Sequence, residues 1–397
     1  MTSGTDGSGR ERRRKVLIDA SPVTASVDGL SVYIVNLIKH LPQESFAGLD
    51  FTVLLNPGVE WPDLRAAIAD KGLAEIRAPI APIGPRRDLD MSRFLRARGA
   101  EFDLVHITSN NYPFALRGGI CTIHDVTFKT WFDRKRGIPG SAWAARLYLT
   151  QVIRNALRNA RAIVAVSDST KREIGRLFHA SEEQMRRIHV IHEGWEHLDG
   201  YAEEGCEPFP FEAEGYLFFL GSYRVHKNLT RLLEAFRLAL PHIPAGNRLV
   251  ISGSSGKLSD RHKALLAEIN AGGERVVFTG YVSNACVRRL YAKADAFIFP
   301  SLSEGFGLPV LEAFHSGAPL LSSSATSLPE VAGDAALYFD PERPQDIAAA
   351  IARFYAEPAL AGELRRKGRE RLALFSWDKA AAETVGLYRS CLDQARP

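Results

Sequence analysis

The sequence predicts an α/β protein built from two doubly wound parallel sheets in tandem, on three observations. Short apolar runs alternate with segments of helical period along nearly the whole chain. That alternation yields parallel strands covered by helices on both faces. It pauses once, over residues 203–214, an acidic aperiodic stretch with Pro208 and Pro210 that reads as a linker. The length, 397 residues, suits two domains of roughly 100–200 residues each.

In the first half, 16–18, 51–55, 104–107, 120–123 and 163–166 read as buried strands. A helix over 32–41 is marked by Val32, Val35, Leu37 and Ile38, and another within 143–160 by Leu149, Val152, Ile153, Ala156, Leu157 and Ala160. In the second half the strands are 216–220, 248–252, 275–278, 296–299 and 319–322, and the helices 229–240, 259–271, 284–292, 309–316 and 345–356. Domains over 1–207 and 208–375 follow. Sheets of this kind bind ligands beyond the carboxyl ends of their strands, so two of them predict an interdomain cleft.

Composition narrows the function. The net charge is +4, and the only dense basic run, 10–15, is interrupted by Glu11 and reads as a solvated tail. Without a basic stripe, nucleic acid is not an expected partner. No apolar run approaches the 18 residues of a membrane span, and 16–18 is too short for a signal peptide. Cys121, Cys206, Cys286 and Cys391 are far apart and form no C-x-x-C pair. Neither a zinc site nor a disulfide framework is expected, and a reducing cytoplasm fits.

Four segments carry candidate chemistry. The first runs from Ser301 to Phe314, SLSEGFGLPVLEAF. A strand ends at Pro300, a glycine-bearing turn follows, and Pro309 stands in the expected first helical turn, its favoured place. Gly305 and Gly307 remove side chains where amides could face an anion, and the helix N-terminus adds about half a positive charge. The segment is a ready diphosphate cradle. Glu312 is expected within the first turn, in reach of a ribose hydroxyl pair, and Glu304 on the loop before it. The second segment, Gly221 to Asn228, GSYRVHKN, ends a strand. Arg224 and Lys227 would sit at the sheet edge and neutralise leaving phosphates, while Asn228 would cap the next helix. The third, Cys121-Thr-Ile-His124-Asp125, puts a His-Asp pair at a strand end, where it would meet sugar hydroxyls; a lone His is more often structural. The fourth, Ser26-Val-Asp28-Gly29-Leu-Ser31, opens a helix where an acceptor or phosphate loop belongs. A fifth, Gly253-Ser-Ser-Gly256-Lys257, is too short for a P-loop and lacks the following Ser or Thr.

These signals, in this order, resemble the GT-B retaining glycosyltransferases of family 4, the group 1 class, over nearly the whole chain. The family's E-x7-E motif is Glu304 to Glu312, within FPSLSEGFGLPVLEAFHSGAPLLSSSATSLPEVAGDAALYFDP at 299–341. GSYRVHKNLTRLLEAF (221–236), IHD (123–125), AVSDSTKREI (165–174) and FTGYVSNACVRRLYAKADAFIFPS (278–301) match as well.

The resemblance implies two Rossmann-like domains facing across a cleft, with the last helix, 376–397, returning to the first. Phe375-Ser-Trp377 fits that crossing, and Leu387 and Cys391 would supply an apolar stripe. It implies that Lys227 binds the donor diphosphate, Glu312 the ribose hydroxyls, and Glu304 the donor sugar near its anomeric carbon. Amides around Phe306–Leu308 would hold phosphate or sugar. His124 would meet the donor sugar, Tyr281 and Val282 would border the base, and Gly29 would lie near the phosphates and acceptor. The family often has Arg immediately before the Lys. Here that residue is His226, so either Arg224 takes over the charge or the site is less cationic.

The implied reaction is hexose transfer from a nucleotide-diphosphate sugar to a glycan or lipid-linked acceptor, with retention. No cofactor is expected and, without an Asp-rich cluster, no metal. The pattern around IHDVTF looks like bacterial mannosyltransferases of O-antigen type, which favours GDP-mannose; UDP-glucose stays open. An epimerase, or a silent nucleotide-sugar-binding protein, is the alternative. Arg154, Arg158 and Arg161 share a helical face, which offers peripheral docking at the inner face of the membrane or, as a plainer reading, a solvated surface.

Overall fold

The apolar runs become strands because most are buried on both faces, as a parallel sheet between helix layers requires; the outer run 275–278 is mostly half-buried. Val16, Leu17 and Ile18, for example, are fully buried. The computed structural model describes residues 12–24, 28–129, 140–199, 206–209, 211, 215–221, 224–253 and 258–394, with 140–142 by backbone alone. The remainder of the 203–214 stretch and the 254–257 part of the Gly253 loop lie outside the described residues, as does Ser26.

Two units are distinguished, Met1–Gly194 with Trp377–Pro397, and Trp195–Ser376. In the first, β1 (Arg14–Asp19), β2 (Leu49–Leu55), β3 (Ala74–Arg77), β4 (Leu104–Ile107), β5 (Ile120–Ile123), β6 (Ala162–Ala165) and β7 (Ile188–Val190) form one sheet in the order β3-β2-β1-β4-β5-β6-β7. In the second, β8 (Tyr216–Leu220), β9 (Arg248–Ser252), β10 (Val276–Gly280), β11 (Ala296–Phe299), β12 (Leu320–Ser323) and β13 (Ala336–Phe339) run β10-β9-β8-β11-β12-β13. The pairings at both switch points are parallel. In each sheet the strand order reverses once, between β1 and β4 and between β8 and β11. Ligand crevices of doubly wound sheets open at such points.

Three strands and several helices go beyond what periodicity shows. β3 and β7 are short outer strands with mostly exposed or half-buried residues, and β13 alternates buried and half-buried positions. Charged or polar residues interrupt β3 (AEIR) and β7 (IHV), whereas β13 (ALYF) is apolar throughout. The helices Pro62–Asp70, Gly84–Arg98, Asp168–Phe178 and Pro358–Leu372 bury only narrow stripes under charged faces.

The last helix, Trp377–Asp393, is part of the first unit. Trp377 is fully buried, its ring edge-on to Tyr33 at 5.9 Å. Leu387 and Cys391 are buried too. The Tyr388 hydroxyl lies 2.6 Å from Nδ1 of His106, whose Nε2 meets Thr122 Oγ1 at 2.8 Å.

Burial lowers the His106 pKa from 6.5 to about 3, with His124 as a smaller cause. The unfolded chain therefore takes up this proton near pH 6.5 while the folded chain does not. The stability so held is complete above pH 6.5 and is lost as pH falls toward 3, at up to about 1.4 kcal/mol per pH unit. Thermal midpoints measured from pH 7 to 4 should fall less steeply in His106→Asn than in the parent chain.

Three surface expectations are corrected. Arg161 is not on the arginine face: helix Gly140–Asn159 ends before it, and its guanidinium donates to the Cys391 carbonyl at 2.8 Å. Arg154 and Arg158 alone are exposed there. The basic run 10–15 is not all tail. Strand β1 begins at Arg14, which pairs with Asp103 at 3.4 Å, and Arg13 pairs with Asp50 at 3.3 Å. Cys206 and Cys286 form a disulfide, 80 residues apart. The bond joins the stretch before β8 to the first turn of helix Asn284–Lys293, a neighbourhood that spacing alone does not reveal. The cysteines therefore carry no argument for a reducing compartment. Among the described residues, no helix is long and apolar enough to cross a membrane.

Candidate functional site

In the second unit the candidate loops follow β8 and β11, which are hydrogen-bonded neighbours. That adjacency brings Lys227 to Glu304 across 77 residues. Lys227 Nζ donates to Glu304 Oε1 at 2.8 Å and lies 5.1 Å from the centre of the Phe299 ring. Both side chains are mostly buried, 17% and 14% exposed. The β8 and β9 ends approach closely because Gly253, at φ +137°, has no side chain: a Cβ would stand 2.4 Å from the Gly221 carbonyl oxygen.

The Glu304 loop is held from the β12 side. Its amide donates to Thr326 Oγ1 at 2.9 Å, and the Ser327 hydroxyl donates to the carbonyls of Glu304 and Phe306 at 3.0 and 2.8 Å. Phe306 is buried edge-on to Phe375, with ring centroids 5.7 Å apart. Gly305 is half-buried and Leu308 buried. Gly307 caps the helix Leu308–His315 at φ +107°, where a Cβ would stand 2.8 Å from Leu328. Of the first three helical residues, Pro309 has no N–H and Val310 donates to the Gly307 carbonyl. The Leu308 amide is the one left to an anion.

Glu312 stands one helical position later than expected, past the first turn. As the fifth residue of that helix it lies in the second turn, because the helix begins at Leu308. Its carboxylate is already held on both oxygens. His197 Nε2 lies 3.0 Å from Oε1, and the Tyr291 hydroxyl donates to Oε2 at 3.0 Å. Burial, then the Glu312 charge, push the Tyr291 pKa well above its ordinary value, so the hydroxyl keeps its proton.

Asn228 does not cap its helix. It adopts the left-handed conformation, φ +64°, with no capping bond. Its amide instead donates to the Pro300 and Pro341 carbonyls at 3.0 and 2.7 Å, tying the loop ends after β11 and β13. Arg224 is exposed beside Lys227. Tyr281, 85% exposed, and half-buried Val282 follow β10, roughly 10 Å along the sheet from β8 at about 4.8 Å per strand.

In the first unit, His124 follows β5. Its Nε2 lies 2.9 Å from the Thr108 carbonyl, which only accepts, so Nε2 carries the hydrogen. Its Nδ1 is 3.6 Å from Oε1 of Glu193, a buried acid on the loop after β7. Tyr33 packs edge-on to the imidazole at 4.7 Å. Asp125 turns inward, accepting from the amide and hydroxyl of Thr127 at 2.9 and 2.6 Å. Asp28 accepts from the Ser31 amide at 2.8 Å and so caps helix Gly29–Lys39, while the space beside Gly29 is open. Asp28 and Asp125 are thus committed to local turns.

Glu193, His197 and Tyr291 were not apparent from sequence. Each stands alone in its segment, and no spacing rule links it to its partner.

Two family models match, Glycosyltransferase Family 4 over residues 27–197 and Glycosyl transferases group 1 over 207–371. The O-antigen chain mannosyltransferase B of Escherichia coli is 27% identical over 395 residues, 94% of this chain and 99% of its own. The MMP alpha-(1->4)-mannosyltransferase of Mycolicibacterium hassiacum is 27% identical, over 77% of this chain and 74% of its own. Among solved structures, the sucrose-phosphate synthase of Thermosynechococcus elongatus superposes with a TM-score of 0.72 at 20% identity, covering 96% of this chain and 100% of its own. With both halves matched and two Rossmann-like parallel sheets of GT-B type, this chain belongs to the group 1, family 4 glycosyltransferases.

Proposed function

We propose that the chain transfers a hexose with retention from a nucleotide-diphosphate sugar, GDP-mannose first among candidates, to a glycan or lipid-linked acceptor. The observation that carries this is the meeting of Lys227 with Glu304 at the β8–β11 switch point, with the Glu312 carboxylate held on the helix that follows the Glu304 loop. Lys227 takes the diphosphate charge, aided by Arg224 and the Leu308 amide. Glu304 faces the sugar, and Glu312 takes the ribose hydroxyls. The donor preference is supported by the segment 123–128 and by relatives named as mannosyltransferases.

In this reading the bond from the anomeric carbon to the diphosphate oxygen breaks, and its electron pair leaves on the diphosphate. The acceptor oxygen bonds to the same face, and its proton passes to the departing phosphate oxygen. The protein contributes position and electrostatics, and no metal takes part.

Thermal-shift binding with GDP-mannose, UDP-glucose and their diphosphates, with EDTA and then with magnesium, tests the donor. At 100-fold over Kd a ligand adds about 2.7 kcal/mol of stability, and the GDP compounds should give this with either addition. A shift with the UDP compounds alone would replace the donor, and a magnesium requirement would remove the metal-free mechanism. Anomeric NMR of the product then tests retention, since an inverted linkage is incompatible with it. Conversion of the donor without nucleotide release would point to an epimerase.

A further inference from the structure

We infer that His197 and Tyr291 are positioning residues that hold the Glu312 carboxylate in the orientation that receives the nucleotide ribose. The inference rests on the reading of Glu312 as the ribose-binding acid and deepens it.

A carboxylate offers roughly four lone-pair sites. In Glu312 one site on each oxygen is engaged, Oε1 by His197 and Oε2 by Tyr291. Two donors on different oxygens define the plane of the group as well as its place, and about one site per oxygen remains, which matches a vicinal diol. A carboxylate accepts only, so the hydrogen between His197 and Glu312 belongs to Nε2.

Both donors stand on rigid supports. Tyr291 is fully buried on helix Asn284–Lys293, with Phe218 and Phe297 each packed edge-on at 4.9 Å. His197 belongs to the short turn Glu196–Leu198, which is fastened to the Glu312 helix on either side. Trp195 packs on His315 at 4.5 Å, and Asp199 Oδ1 lies 3.1 Å from His315 Nε2. The donors come from 115 and 21 residues before Glu312. With both donors in place Glu312 still keeps partial exposure, 13%, which leaves its free lone pairs reachable.

The test is ribose discrimination, read by calorimetry as the affinity ratio of GDP to 2′-deoxy-GDP, and of UDP to 2′-deoxy-UDP. Wild type should prefer the ribonucleotide, and Glu312→Gln should lose the preference. Tyr291→Phe, which keeps the aromatic packing, and His197→Leu should each lower the ratio by about fivefold to tenfold. His197→Gln, whose amide can donate in place of Nε2, should restore most of it. A change confined to folding would shift both affinities alike and leave the ratio intact. If Glu312→Gln abolishes the preference while Tyr291→Phe and His197→Leu retain it, the positioning role is overturned and the ribose reading stands. If Glu312→Gln retains the preference, or neither diphosphate binds wild type, the ribose reading fails and takes this inference with it.

Discussion

Lys227→Ala should lower kcat by about 10²–10³-fold, the effect of removing one preorganised partner of a developing charge, about 2.7–4 kcal/mol. The ammonium is poised for this. It is mostly buried after the end of β8, over the Phe299 ring, and pairs with the Glu304 carboxylate at 2.8 Å. A leaving diphosphate placed there meets a cation in a setting where charge is poorly screened by water. Arg224 is too exposed to replace it, so Arg224→Ala should have a much smaller effect. Steady-state kinetics with saturating donor checks both. A Lys227→Ala enzyme with unchanged kcat would remove Lys227 from the leaving-group site.

Glu304→Ala should abolish measurable turnover while the chain still folds. Its loop is held by backbone contacts from Thr326 and Ser327 that do not depend on the carboxylate. What the substitution leaves behind is an unpaired, mostly buried ammonium, which costs stability because a buried charge without its partner is poorly solvated. Each 1 kcal/mol lowers the melting midpoint by roughly 2–4 °C in domains of this size. The double variant Lys227→Met/Glu304→Gln removes both charges and should recover the midpoint without recovering activity. Circular dichroism melts beside product assays read the two effects separately. Activity in Glu304→Ala would overturn the assignment of Glu304 to the sugar. The two losses should not add, since both residues serve one charge arrangement.

The local signals were legible for a physical reason. Strand, glycine turn, proline and helix follow one another between 296 and 315, and each obeys a short-range rule. Burial on both faces makes the central strands read as apolar runs, so β4, β5, β8, β9 and β11 were placed to the residue. Edge strands such as β3 bury too little to show that pattern. Short-range rules also misled. Asn228 looked like a cap, yet its left-handed backbone turns the amide to the Pro300 and Pro341 carbonyls. Arg161 looked like a surface charge, yet it closes on the last helix.

The sequence by itself determined the doubly wound architecture and the family, and it singled out Lys227, Glu304 and Glu312 as candidates, because these depend on order and spacing along the chain. Tertiary structure alone decided which groups hold them. The Lys227–Glu304 pair exists because β8 and β11 are neighbours in the sheet. The His197 and Tyr291 bonds to Glu312, the Glu193 contact with His124 and the Cys206–Cys286 bond likewise join residues that no local period connects. Hydrogen bonds and ion pairs act over a few ångströms of space, and the separation of their partners along the chain is set by topology.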